Sequence, residues 1–142
     1  MKISAKTDYA CRALLELALY WPKKAPVSIN TIATNQQIPI NFLPHILIQL
    51  KQLGYVESIR GNKGGYVLAK SPKQIRVSEV VKGFTEAQLT PSKQTARFKK
   101  FDVMGSIWQE ADQILQNFMG SINFEDISKR ERSLTKIPMY TI

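Results

Sequence analysis

Between Tyr55-Val56-Glu57-Ser58-Ile59 and Tyr66-Val67-Leu68-Ala69 lies the run Arg60-Gly61-Asn62-Lys63-Gly64-Gly65, which constrains the fold more than any other stretch. Two short segments joined by a glycine-rich basic turn read as a β-hairpin, since glycine permits positive φ and close approach of backbone to a neighbour. A basic hairpin alone is an ordinary soluble turn. Here it follows two closely spaced helical segments, the order of a winged helix-turn-helix in which the hairpin is a DNA-reading wing.

The preceding segments carry the helical period. From Thr7 to about Trp21, Tyr9, Ala10, Ala13, Leu14, Leu17 and Ala18 recur at helical spacing, with Asp8, Arg12 and Glu16 four apart on the opposite face and Pro22 as the stop. Ser28 is placed to cap a short second helix reaching about Asn35, with Val27 and Ile32 as a hydrophobic staple. Asn41 is the expected cap of a third helix with core stripe Leu43, Ile46, Leu47, Leu50 and Leu53, closed by Gly54. Pro44 falls in its first turn, where the backbone N–H has no intrahelical acceptor, so it is tolerated.

After the wing, Ser71-Pro72 marks a turn, and Val77 to Phe84 reads as a fourth helix burying Val80, Val81 and Phe84. Residues 85–100 hold no sustained period and read as a loop. Then Phe101, Met104, Trp108, Ala111, Leu115, Phe118 and Ile122 alternate in steps of three and four, a heptad seam widened by Ile107 and Ile114. Such a face exceeds what one small domain needs, so it is expected to pack on a second subunit. The expected fold is mostly α with a small β-wing. It comprises a winged helix-turn-helix domain over residues 1–84, the loop, a dimerisation helix region over 101–127 and a weakly ordered tail over 128–142.

Charge is unevenly placed along the 142 residues, whose formal net charge is +9. Residues 1–74 hold ten Lys/Arg against three acids, a balance of +7, whereas residues 75–142 hold ten against eight, or +2. Polyanion binding is therefore assigned to the N-terminal half. A membrane surface is the other common target of a basic chain, but no apolar stretch approaches the roughly 20 residues that span a bilayer, and Met1 to Asp8 carries no signal-peptide pattern. The single cysteine, Cys11, excludes an internal disulfide and fits a reducing compartment, so a cytoplasmic protein is expected.

In a winged helix the third helix enters the major groove. Its outward positions are Asn41, His45, Gln49 and Gln52. Asn and Gln side chains pair bidentately with adenine, which makes Asn41 and Gln49 the strongest candidates for base readout. His45 is open between a guanine, a phosphate and water alone. Arg60, long-stemmed with a flat charged head, suits a narrow A·T-rich minor groove, and Lys63 suits phosphate. Lys2, Lys6 and Tyr9 flank the same groove as backbone contacts.

The start Ile3-Ser4-Ala5-Lys6-Thr7-Asp8-Tyr9-Ala10, the segment Ile38-Pro39-Ile40-Asn41-Phe42-Leu43 and above all Gly54 to Tyr66 resemble the Rrf-type (IscR/NsrR/CymR) bacterial transcription regulators. The resemblance is close over about residues 1–84 and looser over the long helix. It implies a homodimeric winged-helix regulator that crosses its long C-terminal helices and binds double-stranded DNA at a palindromic operator. By position, Asn41, Pro44 and His45 match recognition-helix sites, and Arg60 matches the arginine that enters the minor groove. Two departures stand out. IscR-like members carry a glutamate where this chain has Pro44, so base preference should differ. Many members hold an iron–sulfur cluster on three cysteines in the loop corresponding to residues 85–102, and here that loop has none. With about four soft ligands needed, no cofactor or metal is expected.

A winged-helix module that docks an acidic protein partner is the alternative from another class, and salt-resistant protein binding without duplex affinity would favour it. An enzyme lacks support: no phosphate loop of the Gly-x-x-x-x-Gly-Lys type and no Cys/His pairing at motif spacing occur. Glu125-Asp126 reads as a solvated helix start. The signal is left open between a protein partner, a small-molecule effector and oxidation of Cys11.

Overall fold

The computed structural model describes residues 2–86 and 102–135. Helix α1 (Ala5–Tyr20) starts where the Ser4 side chain accepts from the Thr7 amide at 3.1 Å, and it stops before Pro22. Ser28 caps α2 (Ile29–Gln36) in the same way, as its sequence position requires. Gln37 then takes φ 55°, the left-handed turn that redirects the chain toward α3 (Leu43–Gln52).

Two expectations for α3 are corrected. Its cap is Phe42, with no side-chain hydrogen bond, so Asn41 lies in the preceding turn and does not cap the helix. The Phe42 amide bonds the Pro39 carbonyl at 3.1 Å, and this turn feeds the helix directly. Leu53, placed in the core stripe by its spacing, is 40% exposed, because the helix has ended there. The closure at Gly54 is as expected. Gly54 adopts φ 86° and donates to Lys51, while the Tyr55 amide donates to Leu50, both at 3.0 Å, a full Schellman motif.

The wing pairs β1 (Val56–Ile59) antiparallel to β2 (Gly65–Leu68), with Val56 opposite Leu68 and Ile59 opposite Gly65. Val27 and Tyr66 exchange both backbone hydrogen bonds at 2.9 Å, so the segment before α2 pairs at one position with the outer edge of β2. A short 3-10 turn (Pro72–Gln74) leads into α4 (Val77–Glu86), which buries Val80 and Phe84. Val81, expected in the core, is only half-buried.

The largest revision lies at the C-terminal end. Helix α5 (Val103–Ser121) is followed by a separate helix, α6 (Phe124–Thr135), where a weakly ordered tail from Ser128 was expected. A capping box opens α6: the Asp126 amide donates to Asn123 Oδ1 at 2.9 Å, and the Asn123 amide to Asp126 Oδ2 at 3.4 Å. Phe124 joins the core that holds Leu14, Leu47, Ile75 and Phe84. The Arg132 guanidinium donates to the Leu19 carbonyl at the end of α1, at 3.0 Å. Residues 124–135 thus belong to the N-terminal body. The loop expected over 85–100 falls mainly outside the described residues.

Candidate nucleic-acid interface

The elements that carry the expected contacts meet around α3. The first turns of α1 bring Lys6 and Tyr9 beside the start of α3, where the Tyr9 and Phe42 rings lie 6.2 Å apart. Lys6, Tyr9 and His45 line one hollow together with Ala5, Phe42 and Ile46. Asn41 and His45 are exposed and Gln49, one turn on, is half-buried. Lys2 is exposed.

Arg60 and Lys63 are exposed at the far end of the wing. Two glycines hold that end in place. A Cβ on Gly65 would meet the Val27 carbonyl oxygen at 2.3 Å, and one on Gly64 the Ile59 carbonyl oxygen at 2.4 Å. Gly61 bends the tip with φ 127°. Lys51 Nζ donates to Ser58 Oγ at 2.9 Å, joining the last turn of α3 to β1 and coupling the wing to the helix.

Sequence reasoning passed over three features of this region. Phe42 is 56% exposed at the head of α3, where an apolar ring can meet a thymine methyl. Its position next to Asn41 was the available signal. Ile48 on the same helix is likewise exposed. Glu16, placed on the polar face of α1, is 3% exposed and accepts from Asn35 Nδ2 at 2.8 Å and Gln36 Nε2 at 3.1 Å. It pins the last turn of α2 just before the bend into α3. Nothing in its spacing distinguished it from a solvated acid.

Cys11 packs half-buried against the core. Burial, with the Asp8 carboxylate as a second cause, pushes its thiol up to about 12. The thiolate is the reactive form, so the site disfavours rapid oxidation.

On α5, Met104, Ile107, Trp108, Ala111 and Phe118 are exposed, whereas Leu115, and Ile122 at the C-cap, are half-buried; Phe101, the first position of the expected seam, lies outside the described residues. The buried side of the helix is carried by Gly105 and Met119. Trp108 and Phe118 are more than half exposed, at 53% and 57%.

Comparison with known proteins gives the family and the fold. Residues 3–130 match the Rrf2 family, described as an iron-dependent transcriptional regulator. The chain is 28% identical over 137 residues to the HTH-type transcriptional regulator IscR of Xenorhabdus nematophila, covering 94% of this chain and 83% of that one. Among solved structures it is similar to IscR of T. potens, at 28% identity and TM-score 0.80 over 99% of this chain and 96% of that one. It is also similar to CymR, the global cysteine regulator of B. subtilis, at 25% identity and TM-score 0.77 over 92% and 98%. Members of the matched family are transcription regulators and not enzymes. Among the described residues, no helix is long and apolar enough to cross a membrane.

The family description names iron, and the donor set of this chain does not fit an iron–sulfur cluster. The whole sequence offers one cysteine and one histidine against the roughly four soft ligands a cluster takes. Burial raises the pKa of its one thiol, which works against the thiolate that a cluster takes.

Proposed function

This chain belongs to the Rrf2 family of winged-helix transcription regulators, and we propose that it acts as a homodimer on a palindromic DNA operator without an iron–sulfur cluster. The observation that carries this reading is the joining of α3 to a basic wing through Lys51 and Ser58, on the half of the chain with a balance of +7. In this reading Asn41, His45 and Gln49 face base edges in the major groove and Arg60 enters the adjacent minor groove. Lys2, Lys6, Tyr9 and Lys63 contact the phosphate backbone and set register.

The exposed apolar face of α5 supports a two-fold partner. A dimer related by such an axis sets two recognition helices about 34 Å apart, or a multiple of it, and reads a palindrome. The absent cysteines of residues 85–102 and the half-buried Cys11, whose thiol pKa is raised, support regulation without a cluster.

Selection of bound fragments from random duplex DNA with purified protein tests the reading. A two-fold symmetric consensus is expected, with affinity falling by several log units per log unit of salt if about four to eight phosphates are neutralised. Recovery of no enriched sequence at low salt would remove the DNA reading in favour of an acidic protein partner.

A further inference from the structure

The hollow between α1 and α3 has a volume of about 500 Å³, within the range of small-molecule sites. Its walls are the Ala5 methyl, the rings of Tyr9 and Phe42, and Ile46, which is buried. Phosphate contact has no use for so apolar a lining. The only residue with a formal charge among the described lining residues is Lys6, whose flexible stem lines the hollow while its ammonium rests 5.9 Å from the Phe84 ring centroid, outside the lining. Tyr9 and His45 are the other lining residues with polar groups, and none of the described residues that line the space carries a carboxylate.

We propose that this hollow is an effector site for a small amphipathic carboxylate, a compact aromatic or branched hydrocarbon body bearing one carboxyl group, whose binding excludes duplex DNA. The apolar walls take the body, and Lys6 pairs with the carboxylate. Exclusion rests on the DNA reading above, since the ligand occupies Lys6, Tyr9 and His45, which that reading assigns to the duplex. Linkage makes the effect reciprocal: bound DNA weakens the ligand by the same factor.

The test uses the full ¹⁵N-labelled chain without DNA, titrated with 2-naphthylacetate and with its neutral amide. Saturable amide shifts are expected at Ala5, Lys6, Tyr9, Phe42 and His45, with the amide binding at least tenfold more weakly. Lys6→Gln should abolish the preference for the acid while leaving the affinity for the amide, which a merely structural lysine would not do. Phe42→Ala, a change on an exposed ring, should weaken both compounds alike. Absence of saturable shifts there would overturn the proposal, as would equal affinity for acid and amide, or a hollow already filled by a second copy in the dimer. In a second arm the acid is added to protein bound to its selected duplex, and release is expected. Unchanged duplex affinity would overturn the exclusion with the DNA reading intact. Failure of the ligand-free protein to bind any duplex would overturn the DNA reading and the exclusion together, with the first arm still deciding the hollow.

Discussion

Glu16 Oε2 accepts a hydrogen bond from Asn35 Nδ2 at 2.8 Å, so a carboxylate buried in α1 holds the final turn of α2. The second oxygen takes Gln36 Nε2, and Arg12, paired with Asp8, donates to the Gln36 carbonyl at 3.4 Å. Glu16→Ala strands the buried Gln36 amide, which should cost about 2–3 kcal/mol in urea unfolding. Glu16→Gln turns an N–H₂ toward a donor and should cost about 1–2 kcal/mol. If both variants unfold at the parent midpoint, the network holds nothing.

The wing glycines separate packing from backbone conformation. Gly65→Ala drives a methyl into the Val27 carbonyl, so the Val27–Tyr66 bridge must part, at about 1–3 kcal/mol. Gly61→Ala meets no atom within 4 Å and carries only the strain of φ 127°, also on the order of 1–3 kcal/mol. Energy alone therefore does not distinguish them. Hydrogen exchange does: protection at Val27 and Tyr66 should fall in Gly65→Ala and persist in Gly61→Ala.

Those glycines, the Ser28 cap and the Gly54 closure were legible because each is fixed by residues within a few positions. Asn41 misled because an asparagine before an apolar stripe signals a cap, whereas here the turn at Pro39 to Phe42 delivers α3 without one. Glu125-Asp126 was read as a solvated helix start, and both stand in the first turn of α6, but the length and the burial of the helix were missed because that burial is non-local. Phe124 and Ser128 pack far from their neighbours in sequence, and charged residues dominate the rest. The Asn123–Asp126 box was its readable signal. Expected contacts such as His45 and Lys6 were legible as types, but not the hollow they share, which depends on how α1 crosses α3.

Cys11 makes stability depend on alkaline pH. Its folded pKa lies above the ordinary value of 9.0, at about 12, so the folded state favours the thiol. That contribution is fully present below pH 9.0 and is lost as the unfolded chain ionises on the way to about 12. Cys11→Ala should therefore lose less stability than the parent between pH 8.5 and 10.5 in urea titrations. Identical pH slopes in the two proteins would show that the thiol is not desolvated.

Readout and positioning should part in binding assays on the selected operator. Arg60→Ala and Asn41→Ala should each weaken it by about 1–3 kcal/mol and narrow its advantage over random duplex. Lys63→Ala should weaken both duplexes alike and flatten the salt slope by about one. Equal losses on specific and random DNA for Asn41→Ala would take that residue off the reading face.

Phe118 offers the sharpest test of how α5 is used. Its ring is 57% exposed in the single chain, so Phe118→Glu removes little packing within the subunit and should shift the unfolding midpoint of an isolated chain only slightly. In a two-fold assembly through α5 the same change buries a carboxylate in an apolar seam, which costs several kcal/mol unless the helices separate. Gln116 is exposed on the same helix but outside the seam, so Gln116→Glu adds the same charge without that cost. Sedimentation should therefore find Phe118→Glu monomeric and Gln116→Glu dimeric, with operator affinity lost in the first and kept in the second. Dimers of Phe118→Glu with parental operator affinity would mean that the α5 face is covered by something other than a second copy, and that two recognition helices are spaced by another surface.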